Sequence, residues 1–306
     1  MLARTLQHKF APFAVACIAI ALFSFMDTVM KSLSIAIGPY NAMLWRTIAG
    51  VIITGPLFLL TGGRIPERRT LWLHLWRGLT AATSVLLFFW GLVRTPLAQG
   101  IALSFIAPLI ALGLAGVFLK ERIGRSAIGG ALVAFAGMLV ILAGRTGQDS
   151  GRDAMAGVVA ILAAALFYGV NLVLARRQSQ AAGPLEVTFF FNLVALALYG
   201  MGAPWLATVP DGHHALAIVT AACTSSISIM LLAWAYARAE AQYLVSVEYT
   251  AFIWASLFGW LVFREPVLLS TLAGAALIVA GCGWAARRGE GPGASTTPMT
   301  GPEAAG

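Results

Sequence analysis

The chain has 306 residues, of which 59% are hydrophobic and only 10% are charged, and its formal net charge is +8. Because a soluble domain carries about 25% charged residues, this chain has too little polar surface to cover a globule in water. The composition excludes an ordinary soluble protein and favours one that is embedded in lipid.

Apolar runs recur along the chain, and about ten of them approach the roughly 20 residues that a helix needs to cross a bilayer. The runs are continuously apolar, so they predict helices. In chain order, we predict membrane spans at Phe10–Ser34, Pro39–Leu60, Leu71–Val93, Leu97–Leu119, Ser126–Gly144, Met155–Ala175, Pro184–Ala207, His214–Ala237, Ala241–Phe263 and Leu268–Ala286. The short connections between them leave no room for a soluble domain.

Basic residues fall mainly on one side of this topology. With a cytoplasmic N-terminus, 13 Lys and Arg residues lie in cytoplasmic segments and 5 lie in outer segments. This asymmetry is the positive-inside rule, and it predicts a multi-pass inner-membrane protein with both termini in the cytoplasm. The positive charge therefore sets orientation, and we expect the lipid bilayer and no nucleic acid as a partner.

The second half of the chain repeats the first at an offset of 144 residues. This offset aligns Asp27 with Asn171, and it also aligns Glu121 with Glu265, Gly130 with Gly274 and Gly137 with Gly281. Each copy holds five predicted spans, an odd number, so the second copy must cross the membrane in the opposite direction. The predicted fold is an all-α integral membrane protein of ten transmembrane helices, arranged as two inverted five-helix repeats.

The domain prediction follows from the repeat. We divide the chain into a cytoplasmic N-terminus (1–9), a first five-helix repeat (10–144), a periplasmic linker (145–154) and a second repeat (155–288). The tail (289–306) is rich in Gly, Pro, Ser and Thr, which predicts a disordered cytoplasmic segment.

Inverted repeats are typical of secondary transporters, which bind substrate near the membrane midplane between the two copies. The chain contains neither a GxxxxGK[ST] phosphate loop nor an HExxH zinc motif, so we expect transport driven by gradients, without a cofactor or metal. Its four histidines form no cluster typical of an enzyme site, and we expect no enzymatic activity.

Two long stretches resemble a known family. "WRGLTAATSVLLFFWGLVRTPLAQGIALSFIAPLIALGLAGVFLKERI" is similar to spans three and four of the EamA-type transporters of the drug/metabolite transporter (DMT) superfamily, through its "WRG", "LLFFWGL", "TPLAQ" and "LKER" segments. "AYARAEAQYLVSVEYTAFIWASLFGWLVFREPVLLSTLAGAALIVAG" resembles the matching part of the second half. The resemblance covers Phe10 to Arg288. It implies a transporter but no particular substrate, because members carry amino acids, nucleosides, vitamins, cofactors and drugs. "SVEYTAFIWASLFGW" is similar to a subgroup that includes proposed importers of S-adenosylmethionine or riboflavin.

Three charged residues lie in or near the first two predicted spans. A charge at the bilayer centre costs on the order of 3 kcal/mol, so it faces a cavity or a partner. Asp27 and Arg46 fall in the outer third of the bilayer, and Lys31 falls close to the outer surface. In one interpretation Asp27 pairs with Lys31 or Arg46 and fixes the first two spans. In the other, Asp27 and Arg46 line or gate a cavity, and Asp27 binds a proton.

A second polar group is predicted in the inner half of the bilayer, formed by Arg77, Asn171, Asn192 and Glu248. Glu248 has no basic residue at helical spacing on its own span. It therefore either carries a proton or forms an ion pair with Arg77.

Further candidates for contact with a solute are aromatic or hydroxylic. The aromatic candidates are Tyr168, Trp90, Trp234 and Tyr243, and three serines (Ser225, Ser226 and Ser228) cluster in the eighth span. Aromatic rings also anchor spans at the membrane interface, and serines often bond to the backbone of their own helix. Both interpretations stay open from the sequence.

The residues favour a secondary transporter that moves a small polar or zwitterionic organic metabolite by alternating access. Mixed charge in the predicted cavity suits a zwitterion such as an amino acid. The alternatives are an importer specific for S-adenosylmethionine or riboflavin and, from another class, a membrane scaffold or a lipid scramblase. The sequence leaves open a homodimer, the coupling ion and the direction of transport.

Overall fold

The computed structural model describes residues 2–107, 109–110, 114, 125–144, 151–178, 181–236 and 250–287. Within these ranges ten α-helices have described bounds, and no strand is found. The helices are α1 (Leu2–Ile37), α2 (Pro39–Leu60), α3 (Arg68–Leu92), α4 (Leu97–Ser104), α5 (Arg125–Ala143), α6 (Arg152–Gln178), α7 (Pro184–Leu206), α8 (Ala215–Tyr236), α9 (Ala251–Phe263) and α10 (Leu269–Arg287). A single 3-10 turn (Gly212–His214) precedes α8.

Several of the helices are long and apolar enough to cross a membrane. In the described ranges there are six such segments: Ala14–Ile37, Pro39–Leu60, Arg68–Leu92, Arg152–Ala175, Pro184–Leu206 and Gly212–Leu232. Three shorter apolar helical segments lie at Leu132–Ile141, Ala251–Phe263 and Leu269–Gly281. The chain is thus an all-helical, multi-pass membrane protein, as its composition predicts. Ten crossings remain a prediction, because most of residues 108–124 and 237–249 lies outside the described ranges.

Gly-Pro pairs begin two equivalent helices. Gly38 adopts a left-handed φ of 81°, which a residue without a side chain tolerates, and Pro39 occupies the first turn of α2. Gly183 and Pro184 begin α7 in the same way, although the backbone of Gly183 is extended. Proline suits this position because its missing N–H would have no partner in the first turn of a helix.

The most extensive helix packing in the described structure joins the two halves of the chain. Helix α5 packs along α10, α3 along α6, α1 along α8 and α2 along α7. Large side chains such as Met30, Phe89, Ile161 and Tyr199 are almost fully buried in the resulting core. In the repeat, α1 corresponds to α6 and α3 corresponds to α8. The α1–α8 pair is therefore equivalent to the α3–α6 pair, and the set of pairs is the same when the two halves are exchanged.

Helices α2 and α7, which are equivalent in the two halves, run in opposite directions. In the α2–α7 pair, the Tyr40 hydroxyl near the start of α2 donates to the carbonyl of Tyr199 near the end of α7. Near the other end of the pair, Phe58 stacks on Phe189 with ring centroids 4.9 Å apart. The two helices are therefore antiparallel.

Glycines that repeat at the 144-residue offset meet where α5 crosses α10. A Cβ added to Gly137 would lie 2.6 Å from the carbonyl oxygen of Gly274, and one added to Gly281 would lie 2.5 Å from that of Gly130. The two contacts are related by the offset, which aligns Gly137 with Gly281 and Gly130 with Gly274. Small residues allow membrane helices to approach this closely.

Candidate functional site

Arg46 lies at the contact between α2 and α8 and is only 3% exposed. Its Nη1 donates to the Ser225 hydroxyl at 3.2 Å, which places this serine of the predicted cluster beside the guanidinium. Within the described residues, Nε and Nη2 of Arg46 are buried and have no hydrogen-bond partner. A buried guanidinium with free donors can bind an anion that enters the bundle.

Asp27 of α1 is half-buried and close enough to Arg46 for the two charges to interact. No ion pair with Asp27 is found in the part of the chain that the structure describes. Tyr199 also lies in the electrostatic environment of Arg46, and its hydroxyl donates to the carbonyl of Ala82 at 2.7 Å. The structure thus brings together the two charges that the sequence places at one depth.

Lys31 does not pair with Asp27, as one interpretation of the sequence predicted. It is 2% exposed, and its ammonium pairs with Glu265. The ammonium also donates to the carbonyl of Thr95 at 2.8 Å and lies 4.8 Å from the ring centroid of Phe263. The turns that precede α4 and follow α9 cover it, and its depth in the bilayer stays a prediction.

The Lys31–Glu265 pair links two helices and a turn at one end of the bundle. The second carboxylate oxygen of Glu265 accepts a hydrogen bond from the backbone N–H of Leu97 at 2.7 Å. Leu97 is the first residue of α4, where a carboxylate is favoured by free N–H groups and the helix dipole. The link therefore joins α1 and α4 of the first half to the turn after α9 in the second half.

A chain of polar contacts lies at the opposite end of α3. Arg77 donates to the Gln178 side-chain carbonyl, and the Gln178 amide donates to His74 Nδ1 at 2.6 Å. Nε2 of His74, which is 2% exposed, bonds to Glu186 at 3.0 Å. Glu186 also borders a groove of about 760 Å³ between the α2–α3 connection and the start of α7.

Two predicted polar residues of the inner half are buried on separate helices. Asn171 of α6 is 5% exposed, and its side-chain oxygen has no partner among the described residues. Asn192 of α7 is also 5% exposed, and it donates to the Thr188 carbonyl of its own helix at 3.1 Å. Its side chain lies against Gly50, one turn from Arg46 on α2. The predicted Glu248 lies outside the described residues, so its pairing with Arg77 stays a prediction.

The three aromatic candidates that the structure describes are dispersed rather than gathered around Arg46. Trp90 lies beneath the guanidinium of Arg94, 3.6 Å from the ring centroid, and Arg94 pairs with Asp153 at 2.8 Å. Trp234 packs with Ala16 and Ile20 where α1 meets α8. Tyr168 is 39% exposed and interacts electrostatically with Arg77. Tyr243 lies outside the described residues. A solute-binding role for these four residues stays a prediction.

Sequence reasoning missed the roles of Glu265 and His74. The only signal for Glu265 was that it and Lys31 fall at the same predicted outer end of their spans. His74 carries no local signal, because its partners Gln178 and Glu186 are 104 and 112 residues away.

The model of the EamA-like transporter family matches residues 12–143 and, a second time, residues 155–286. The chain belongs to the EamA-like transporter family. Its relatives are transporters of the DMT type, so the family resemblance of the two long stretches is confirmed. As a member of the EamA family, the chain is a multi-pass membrane transporter of small molecules.

Curated relatives in the EamA family differ in what they carry. The chain is 25% identical over 243 residues to a riboflavin transporter of Brucella anthropi, covering 77% of this chain and 83% of that protein. It is 26% identical over 271 residues to the pseudopaline exporter CntI of Pseudomonas aeruginosa, covering 87% and 93%. It is also 22% identical over 256 residues to an S-adenosylmethionine uptake transporter of Rickettsia felis, covering 83% and 84%. Family membership alone therefore fixes neither substrate nor direction.

A solved crystal structure has the same fold as this EamA chain. The TM-score is 0.63, and the match covers 90% of this chain and 97% of the other at 23% identity. At this identity the similarity supports the fold alone.

Proposed function

We propose that the chain is a secondary transporter that moves a small polar or zwitterionic organic metabolite across the inner membrane by alternating access. The observation that carries the proposal is Arg46, a nearly inaccessible guanidinium with free donors where the two halves meet. A charge inside the membrane costs on the order of 3 kcal/mol or more, so it is retained where it serves a partner or a solute.

The architecture that we propose has two inverted five-helix repeats, residues 10–144 and 155–288, joined by a periplasmic linker at 145–154. Residues 1–9 and the tail 289–306 lie in the cytoplasm. The antiparallel α2–α7 pair and the two matches to the family model support this arrangement. The excess of basic residues in the predicted cytoplasmic segments supports the orientation.

Charge around Arg46 favours a polar solute over a hydrophobic drug. Arg46 presents free N–H donors, Asp27 adds a carboxylate that forms no ion pair in the described ranges, and Ser225 adds a hydroxyl. A solute with both charges would find a counter-charge for each. An apolar solute would displace water from these groups without replacing the hydrogen bonds that the water made, which is unfavourable.

A narrower candidate function is import of riboflavin or S-adenosylmethionine. Two relatives favour it, because one is named a riboflavin transporter and the other an S-adenosylmethionine uptake transporter. A scaffold or lipid scramblase has less support, because neither role needs a buried guanidinium with free donors at the contact of the two halves.

Counterflow in proteoliposomes tests the proposed function directly. Vesicles that contain the purified protein and an excess of unlabelled solute should accumulate the labelled solute transiently. The panel contains amino acids, S-adenosylmethionine, riboflavin and nucleosides, with protein-free vesicles as the control. A scramblase would instead redistribute labelled lipid between leaflets, and lipid redistribution with no solute counterflow would contradict the proposal.

Asp27→Asn is expected to abolish uptake driven by a pH gradient while leaving the protein folded. The amide keeps the size of the side chain but cannot exchange a proton. Accumulation of a solute identified by counterflow is measured with and without an imposed pH gradient. Asp153→Asn is the matched control, because this aspartate is exposed and pairs with Arg94. Normal gradient-driven uptake by Asp27→Asn would remove Asp27 from the coupling mechanism.

A further inference from the structure

The free donors of Arg46 lie along a single edge of the guanidinium. Nη1 is engaged by Ser225, whereas Nε and Nη2 have no partner among the residues that the structure describes. The N–H groups of Nε and Nη2 point in parallel from one side of the planar group. This edge matches the two oxygens of a carboxylate, with which arginine forms paired, charge-assisted hydrogen bonds.

Because Arg46 is buried, its unpaired Nε and Nη2 donors are energetically costly. Most buried polar side-chain atoms in proteins have a hydrogen-bond partner, and leaving a donor without one costs about 1–3 kcal/mol, or more for a charged group. Arg46 is 3% exposed, so bulk water cannot supply the missing partners freely. An anionic group of the solute would satisfy both donors at once.

The described polar groups near Arg46 do not bond to this edge. The Tyr199 hydroxyl is committed to the Ala82 carbonyl, and the Ser225 hydroxyl holds the opposite side of the guanidinium. Asp27 is near enough for its charge to act on Arg46, yet it forms no ion pair within the described ranges. A carboxylate bound to Arg46 would therefore have a second acceptor beside it, suited to an ammonium group.

We propose that Arg46 binds the carboxylate of the transported solute through Nε and Nη2, and that Asp27 faces the neighbouring ammonium group. The substrate class is α-amino acids and derivatives that keep both of these groups. This inference rests on the proposed transport function and narrows its substrate. Riboflavin, which has no carboxylate, does not fit the site.

Binding of matched ligands to the full chain in detergent tests the site without relying on transport. The probes are the proteinogenic L-amino acids, each paired with its carboxamide, together with S-adenosylmethionine and riboflavin. Their dissociation constants are obtained from the shift of the unfolding temperature with ligand concentration. We expect at least one amino acid to bind and its carboxamide, which lacks the negative charge, to bind at least about tenfold more weakly.

Variants at the site complete the test. Arg46→Gln is expected to weaken binding of the acid by about tenfold to a hundredfold, the range for losing hydrogen bonds to a charged group. The affinity of Arg46→Lys for the acid should lie between those of the parent and of Arg46→Gln, because an ammonium keeps the charge but cannot form the paired bonds. Ser225→Ala keeps the guanidinium and should weaken binding by less. Arg152→Gln, at an exposed position at the start of α6, is the control and should bind like the parent. Circular dichroism and gel filtration establish that each variant is folded.

Either of two outcomes would overturn the carboxylate site. In the first, no amino acid binds. In the second, a carboxamide binds the parent protein as tightly as its acid does, or a folded Arg46→Gln protein binds the acid as tightly as the parent does. Failure of the transport function gives a different result. In that case amino acids bind in an Arg46-dependent manner, but none of them shows counterflow in proteoliposomes.

Discussion

Glu265→Gln is expected to destabilise the folded protein by about 3 kcal/mol, because it leaves the Lys31 ammonium without its counter-charge. Lys31 is 2% exposed, and its remaining polar and ring contacts among the described residues are the Thr95 carbonyl and the Phe263 ring. The Glu265 side chain is 21% exposed, so partial access of water places the effect at the low end of the range for a broken buried pair. Thermal and chemical unfolding of the purified protein in detergent measure the loss.

The double variant Lys31→Met with Glu265→Gln serves as the internal control. It removes both charges, so it should be more stable than Glu265→Gln alone. Asp153→Asn breaks the more exposed pair with Arg94 and should cost at most about 1 kcal/mol. If Glu265→Gln were as stable as Asp153→Asn, the link between α1, α4 and the turn after α9 would not stabilise the bundle.

Gly274→Val is expected to cost about 3 kcal/mol or to prevent assembly of α5 with α10. A Cβ at this position would lie 2.5 Å from the carbonyl oxygen of Gly137 and 2.4 Å from the Ile141 side chain. Overpacking of this kind typically costs 1–3 kcal/mol, and here a backbone atom must move. Expression level, gel filtration and the unfolding temperature report the effect.

Gly283→Val on the same helix is the matched control. Nothing lies within 4 Å of a Cβ at Gly283, so the added side chain meets open space and the change should be nearly neutral. Equal loss of stability in both variants would mean that the added side chain acts independently of the crossing of α5 and α10.

The glycine contact at this crossing was within reach of the sequence, whereas the environment of Lys31 was not. The offset of 144 residues aligns Gly137 with Gly281 and Gly130 with Gly274, and small residues of this kind let membrane helices approach closely. Lys31 could be placed only by its depth along α1. Its partner Glu265 is 234 residues away in a turn, and no periodicity within α1 reports which turn covers it.

The neighbourhood of Arg46 was predicted in part. Equal depth on two consecutive spans brought Asp27 and Arg46 together, because a short Gly-Pro turn leaves α1 and α2 adjacent. Which serine of α8 faces the guanidinium depends on how α8 packs against α2, and this is a tertiary choice. The bond to Ser225, and with it the edge that stays free, emerges only from the structure.

The pairing of helices across the two halves has a consequence for biosynthesis. In the described structure α1, α2, α3 and α5 each have their most extensive contacts with helices that the ribosome makes after residue 150. Membrane helices insert first and associate afterwards. The helices of the first half therefore lie in the bilayer without their main partners until the second half has been synthesised. A chain that is truncated after α5 is therefore expected to insert but not to form a compact bundle. Protease resistance should appear only once α10 has left the translocation machinery.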